Sequence, residues 1–170
     1  MRCIAEFYFR LALLQAKPQD LSPSYVLQKI LIGIYFSLSV LSSIALYGWM
    51  TSIILSLIDL LVLYVFSQLV LRNNKQRLHQ TFNAFLGTGV IIGLLHSIFS
   101  YLLIENNTPQ TISGAAVFLF LLIFLWLVVT YGHIVRHAAD TSLSVGISIS
   151  LGYIIFNAMI LLSIAEMLKV

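Results

Sequence analysis

YVLQKILIGIYFSLSVLSSIALYGWMTSIILSLIDLLVLYVFSQLVL, residues 25–71, carries only two charged side chains, Lys29 and Asp59. A run of about 18 or more apolar residues is long enough to cross the roughly 30 Å hydrocarbon layer of a bilayer. This stretch holds two such runs, Tyr25–Tyr47 and Thr51–Leu71, separated only by Gly48, Trp49 and Met50. A joint that short predicts a tight helical hairpin. Tyr47 and Trp49 would sit at a membrane interface, where amphipathic rings prefer to lie.

The same pattern continues beyond the hairpin, with apolar runs at Phe82–Ile104, Ile112–Tyr131 and Leu143–Leu168. Hydrophobic residues make up 60% of the 170-residue chain and charged residues 9%, against about a quarter charged in a soluble domain. Such a chain could not cover its surface with polar groups in water. The expected fold is therefore all-α and polytopic: five transmembrane helices, preceded by an N-terminal amphipathic interfacial helix. Residues 1–20 form the interfacial segment and residues 24–168 the five-span bundle.

Residues 1–16 carry the amphipathic signal. At 100° per residue, Arg2, Glu6, Arg10 and Lys17 fall on one side, while Ile4, Phe7, Tyr8, Leu11 and Leu14 occupy much of the rest. An in-plane membrane helix needs this arrangement, and the simplest expectation is that it packs beneath the bundle. Pro18 should end it, with Ser22 and Pro23 capping the start of the first span. No cleavable signal peptide is expected, because the first long apolar run starts only near residue 24. Arg2 in second place argues against myristoylation, and the single cysteine, Cys3, cannot form an internal disulfide.

Basic residues are retained on the cytoplasmic side of inserted helices. Arg2, Arg10, Lys17, Lys29, Arg72, Lys75, Arg77 and Arg136 all fall on one side if the N-terminus is inside, and only Lys169 falls outside. The expected placement is the bacterial cytoplasmic (inner) membrane, N-terminus inside and C-terminus outside. The net charge of +3 does not point to nucleic acid, since these cations border the membrane, where anionic lipid is the simpler partner. Arg72, Lys75, Arg77, His133, Arg136 and His137 are the candidate head-group contacts. His133, His137 and Asp140 share a helix face and could ligate a metal, but Ile134 stands where a zinc-protease motif needs Glu. Arg136 would also repel a cation, so no metal and no cofactor is assigned.

Within the spans, Asp59, His96 and Asn157 are the outstanding polar residues. An intramembrane carboxylate costs about 2.5–3.5 kcal/mol on insertion scales, so it should face the bundle interior, be protonated, or find a partner. The three are expected to form one buried cluster. Interhelical glue is the favoured role, ahead of a proton or cation pathway. The pair Gly89 and Gly93, and the stripe Ser144, Ser148, Gly152, are the candidate close-contact surfaces. The Asn106 glycosylation pattern lies in a short outer loop poorly suited to it. No nucleophile elbow and no phosphate-cradling glycine loop occurs, and no enzymatic activity is expected.

The segments NKQRLHQTFNAFLGTGVIIGLL (residues 74–95) and FLWLVVTYGHIVRHAADTSLSVGISISLGYII (residues 124–155), following a tight hairpin, together resemble the Yip family of Ypt/Rab-interacting membrane proteins. That resemblance covers roughly residues 24–168 and implies five spans, a cytoplasmic N-terminus and a non-catalytic adaptor role. Gly87-Thr88-Gly89 stands where the family often has a Gly-Tyr element with proline, and the long N-terminal region of eukaryotic members is missing. The layout is closer to a small bacterial relative. The expected function is a non-enzymatic scaffold or accessory that contacts lipid and other membrane proteins or a second copy of itself. The alternative is a small permease or ion-coupled transporter subunit using Asp59 and His96.

Overall fold

The computed structural model describes residues 4–21, 24–72, 75–106 and 114–168. It contains six α-helices: α1 (Ile4–Ala12), α2 (Tyr25–Tyr47), α3 (Trp49–Val70), α4 (Leu78–Asn106), α5 (Gly114–Ala138) and α6 (Leu143–Met167). The last five are long and apolar enough to cross a membrane. The chain is an all-α polytopic membrane protein. Arg2, Cys3, the Ser22–Pro23 cap, the loop after Asn106 and Lys169 lie outside the described residues.

One glycine makes the hairpin. Gly48 caps the end of α2 and the start of α3, with φ +74° and ψ 172°, a region open almost only to glycine. Its N–H donates to the Ile44 carbonyl at 3.0 Å, and its carbonyl accepts from Ser52 N–H at 3.1 Å. With both helix ends satisfied at one residue, α2 and α3 must lie antiparallel and in contact. The first-span cap is Ser24, whose hydroxyl accepts from Leu27 N–H at 3.3 Å.

α4 is the central helix. From Thr81 to Thr88 every residue is buried, polar and apolar alike, because α1, α2, α3 and α5 all pack around that half. That half of the helix has no lipid face, whereas Leu94 and Ile98 farther along are exposed. Thr88 returns its hydroxyl to the Ala84 carbonyl at 2.7 Å, a common way to satisfy a helical threonine without water.

Close helix contact follows two glycine surfaces. Gly89 and Gly93 lie on the α2–α4 interface: a Cβ on Gly89 would approach the Tyr35 ring at 2.9 Å, and one on Gly93 would approach Leu38 at 3.3 Å. On α6 the expected stripe is displaced. Ser144, Ser148 and Gly152 are exposed, and the buried stripe is Gly146, Ser150 and Tyr153. A Cβ on Gly146 would lie 2.3 Å from the Gly132 carbonyl oxygen of α5, so backbone meets backbone there. Both stripes repeat with helical spacing, and only the partner's glycine, Gly132, distinguishes them.

The amphipathic helix is shorter than residues 1–16 and turns Tyr8, Leu11 and Ala12 into the bundle. The Tyr8 ring covers Gly87 so closely that a Cβ there would come within 2.2 Å of it. Glu6 and Arg10 form a 4.0 Å ion pair on the outer side. Rather than lying under the bundle's end, the arm runs along the flanks of α4 and α5. The Ala12 carbonyl accepts from Trp126 Nε1 at 2.7 Å and from Thr130 Oγ1 at 3.2 Å. Those residues stand twelve and eight positions before Ala138, about 18 and 12 Å along the helix. Burial holds the Tyr8 phenol above its ordinary pKa, so it remains a neutral hydroxyl.

Candidate functional site

Asp59 lies ten residues beyond Trp49 and eleven before Val70, about 15 Å from either end of its helix. It is 8% exposed. Its Oδ2 accepts from the Tyr35 hydroxyl of α2 at 2.7 Å, and its Oδ1 accepts from Asn157 Nδ2 of α6 at 2.7 Å. One carboxylate therefore ties three helices together near the middle of their lengths. A second polar link sits nearby on the hairpin, where Ser56 Oγ donates to Ser39 Oγ at 2.9 Å.

Of the three expected members, the structure brings Asp59 and Asn157 together. His96 is elsewhere: its ring packs on Phe120 of α5 at 5.2 Å between centroids, and the hydrogen bonds on Asp59 among the described residues come from Tyr35 and Asn157. Tyr35 takes the place His96 was expected to fill. The hairpin could have revealed it, since Tyr35 lies thirteen residues before Gly48 and Asp59 eleven after. Positions nearly equidistant from a one-residue turn stand level across antiparallel helices.

Towards the basic end, Asp59 borders a layer of stacked rings. Phe66 stacks on Tyr153 with centroids 4.1 Å apart, and Phe85 meets Tyr131 edge-on at 4.8 Å. Such pairs add about 0.5–1.5 kcal/mol beyond burial, so this side of the site is closed and rigid. The opposite side is open. A cavity of about 230 Å³ is lined by Ser39, Ser43 and Tyr47 of α2, Leu55 and Asp59 of α3, and Leu161 and Leu162 of α6.

The candidate head-group residues gather at the opposite end of the bundle. Arg77 forms an ion pair with Asp140 at 3.0 Å and donates to the His137 carbonyl at 3.4 Å. Gln19 donates to that same carbonyl. His133 Nε2 lies 2.9 Å from the Ala16 carbonyl, and the His133 and His137 rings meet edge-on at 4.6 Å. Asp140 and His133 are thus each engaged separately, and among the described residues no group of three His, Cys, Asp or Glu is placed to hold a metal. Arg72, Lys75 and Arg136 are exposed. Arg72 and Lys75 rim a hollow of about 300 Å³ whose walls include Val65, Leu69 and Leu78.

Compared with known proteins, the chain matches no protein-family model, no curated protein and no solved structure.

Proposed function

We propose that this multi-pass membrane protein is a non-catalytic scaffold or accessory of the bacterial cytoplasmic membrane, holding other membrane components or a second copy of itself. A relationship to the Yip family is part of the same proposal. The observation that carries it is the use made of Asp59. Its two oxygens receive donors from two neighbouring helices, which is what interhelical glue requires. The permease alternative needs Asp59 and His96 on one path, and the ring of His96 instead lies against Phe120.

The orientation follows from charge. Arg72, Lys75 and Arg136 are exposed at the end where α3, α4 and α5 meet the connecting segments. Cations near short loops favour the cytoplasmic face and its anionic lipid. In this reading that end faces the cytoplasm, its exposed cations meet lipid phosphates, and the hairpin tip at Gly48 faces outward.

Purification in lipid nanodiscs tests the scaffold reading. The expected result is a particle containing this chain and a second membrane polypeptide, or a second copy, in fixed stoichiometry. Recovery solely as a single-copy species, together with substrate flux in proteoliposomes that Asp59→Asn abolishes, would overturn it in favour of the permease. Reporter fusions at the two ends test the orientation, and activity of both in one compartment would refute it.

A further inference from the structure

The hydrogen bonds around Asp59 satisfy its oxygens but bring no positive group to it. Tyr35 and Asn157 are neutral donors. Among the described residues the ion pairs are Glu6–Arg10 and Arg77–Asp140, both away from this site. Two donors suit an acceptor on each oxygen, and a carboxyl group buried without a positive neighbour stays ionised only when a cation joins it.

The cavity beside it has the shape of a binding groove. α2 and α6 each pack on α3 but hardly touch one another, so the space between them is floored by α3. Asp59 and Leu55 form that floor, Ser39, Ser43 and Tyr47 one wall, and Leu161 and Leu162 the other. Leu162 is 57% exposed on the outer surface of the bundle, so this wall borders the lipid. The floor thus presents a carboxylate with hydroxyls beside it, and the wall nearest the lipid is apolar.

We propose that this groove binds a small amphiphilic ammonium ion entering from the membrane, its charged head on Asp59 and its chain along Leu55, Leu161 and Leu162. The leucines of the lining favour a chain-bearing cation over a bare alkali ion. A cavity of about 230 Å³ equals the liquid volume of about eight water molecules, matching an amine head on a chain of six or seven carbons. Leucines on the floor and outer wall would give a bare ion no coordination, whereas an alkyl chain fills that space with apolar contact. The ammonium supplies the missing charge and hydrogen-bond donors. The binding does not depend on the scaffold reading, since a scaffold and a transporter could each carry such a site.

Protein in phosphatidylcholine nanodiscs, titrated with radiolabelled n-hexylammonium and corrected for uptake by empty nanodiscs, tests this. The expected result is saturable binding near one equivalent, with neither 1-hexanol nor sodium chloride competing. Asp59→Asn should weaken binding about tenfold or more, the loss expected for one charge-assisted contact. Leu162→Trp, at an exposed position where the fold tolerates bulk, should block the groove by filling it. This second variant keeps the test decisive if Asp59→Asn lowers stability. Absence of saturable uptake, full competition by hexanol or sodium, or unchanged affinity in Leu162→Trp overturns the proposal.

Discussion

Trp126 Nε1 donates to the Ala12 carbonyl at 2.7 Å, across 114 positions of sequence. That carbonyl is one of the last in α1, where the helix leaves acceptors without intrahelical partners. Trp126 and Thr130 together supply the missing donors, so α5 caps the end of α1. Trp126→Phe keeps the ring and removes the donor. It should cost about 0.5–1.5 kcal/mol, the usual net worth of one hydrogen bond. Hydrogen exchange should rise over residues 4–16 and stay unchanged over α2 and α3. Equal exchange in both proteins would show that the indole does not hold the arm.

Gly87 makes a related contact from the other side. A methyl group there would collide with the Tyr8 ring at 2.2 Å, and Tyr8 cannot turn away without exposing a buried surface. Gly87→Ala should therefore loosen α1. Overpacking of this kind costs about 1–3 kcal/mol. In a Tyr8→Ala background the added Gly87→Ala should lower the melting temperature less than it does in the wild type, and an equal loss in both would argue against the contact.

The two α6 stripes give a paired prediction. Gly146→Ala drives a methyl into the Gly132 carbonyl, whereas Gly152→Ala meets nothing within 4 Å. The first should destabilise the bundle by about 1–3 kcal/mol. The second should leave the melting temperature unchanged or slightly raised, since alanine is the better helix former. Thermal melting in detergent separates them, and a reversed order would mean that α5 and α6 pack through the other face.

Tyr35→Phe and Asn157→Leu each remove one donor from Asp59. Each should cost about 0.6–2 kcal/mol, the range for interhelical hydrogen bonds in membranes. Because both act on one carboxylate, their effects should not add, and a coupling of about 0.5 kcal/mol or more is expected from the double-mutant cycle. Strict additivity would show that the two donors serve Asp59 independently.

Gly48→Val should be among the most damaging single changes in the hairpin. Its φ of +74° is reached by a β-branched residue only at a strain of about 1–3 kcal/mol. Circular dichroism should retain the helices while the melting temperature falls. An unchanged melting temperature would mean that the turn relaxes without cost.

Much of this architecture is legible in the residues themselves. Spans announce themselves through unbroken apolar runs, because lipid admits few charges, and the hairpin is visible in the bare Gly48-Trp49-Met50 joint. Asp59 and Asn157 could be singled out because a polar group in hydrocarbon must find a partner. The identity of that partner was harder to read. Tyrosine is common in apolar spans, so Tyr35 carried no separate signal, while His96 drew notice by its polarity alone. On α6 the exposed Ser144, Ser148 and Gly152 and the buried Gly146 and Ser150 repeat with the same spacing, so the residues alone do not say which stripe meets α5. The arm's course beside α5 was illegible for a different reason: its acceptors are backbone carbonyls, which every residue possesses.

The arm's position also bears on the order of assembly. Its docking partners, Trp126, Thr130 and His133, are made more than a hundred residues after Ala12. By contrast, the α2–α3 hairpin is complete within itself. During synthesis α1 can lay Tyr8 against Gly87 once α4 is made, but its end at Ala12 must wait for α5. Made more than a hundred residues before those partners, that end of α1 reaches its final seat late, so its docking follows the arrival of α5.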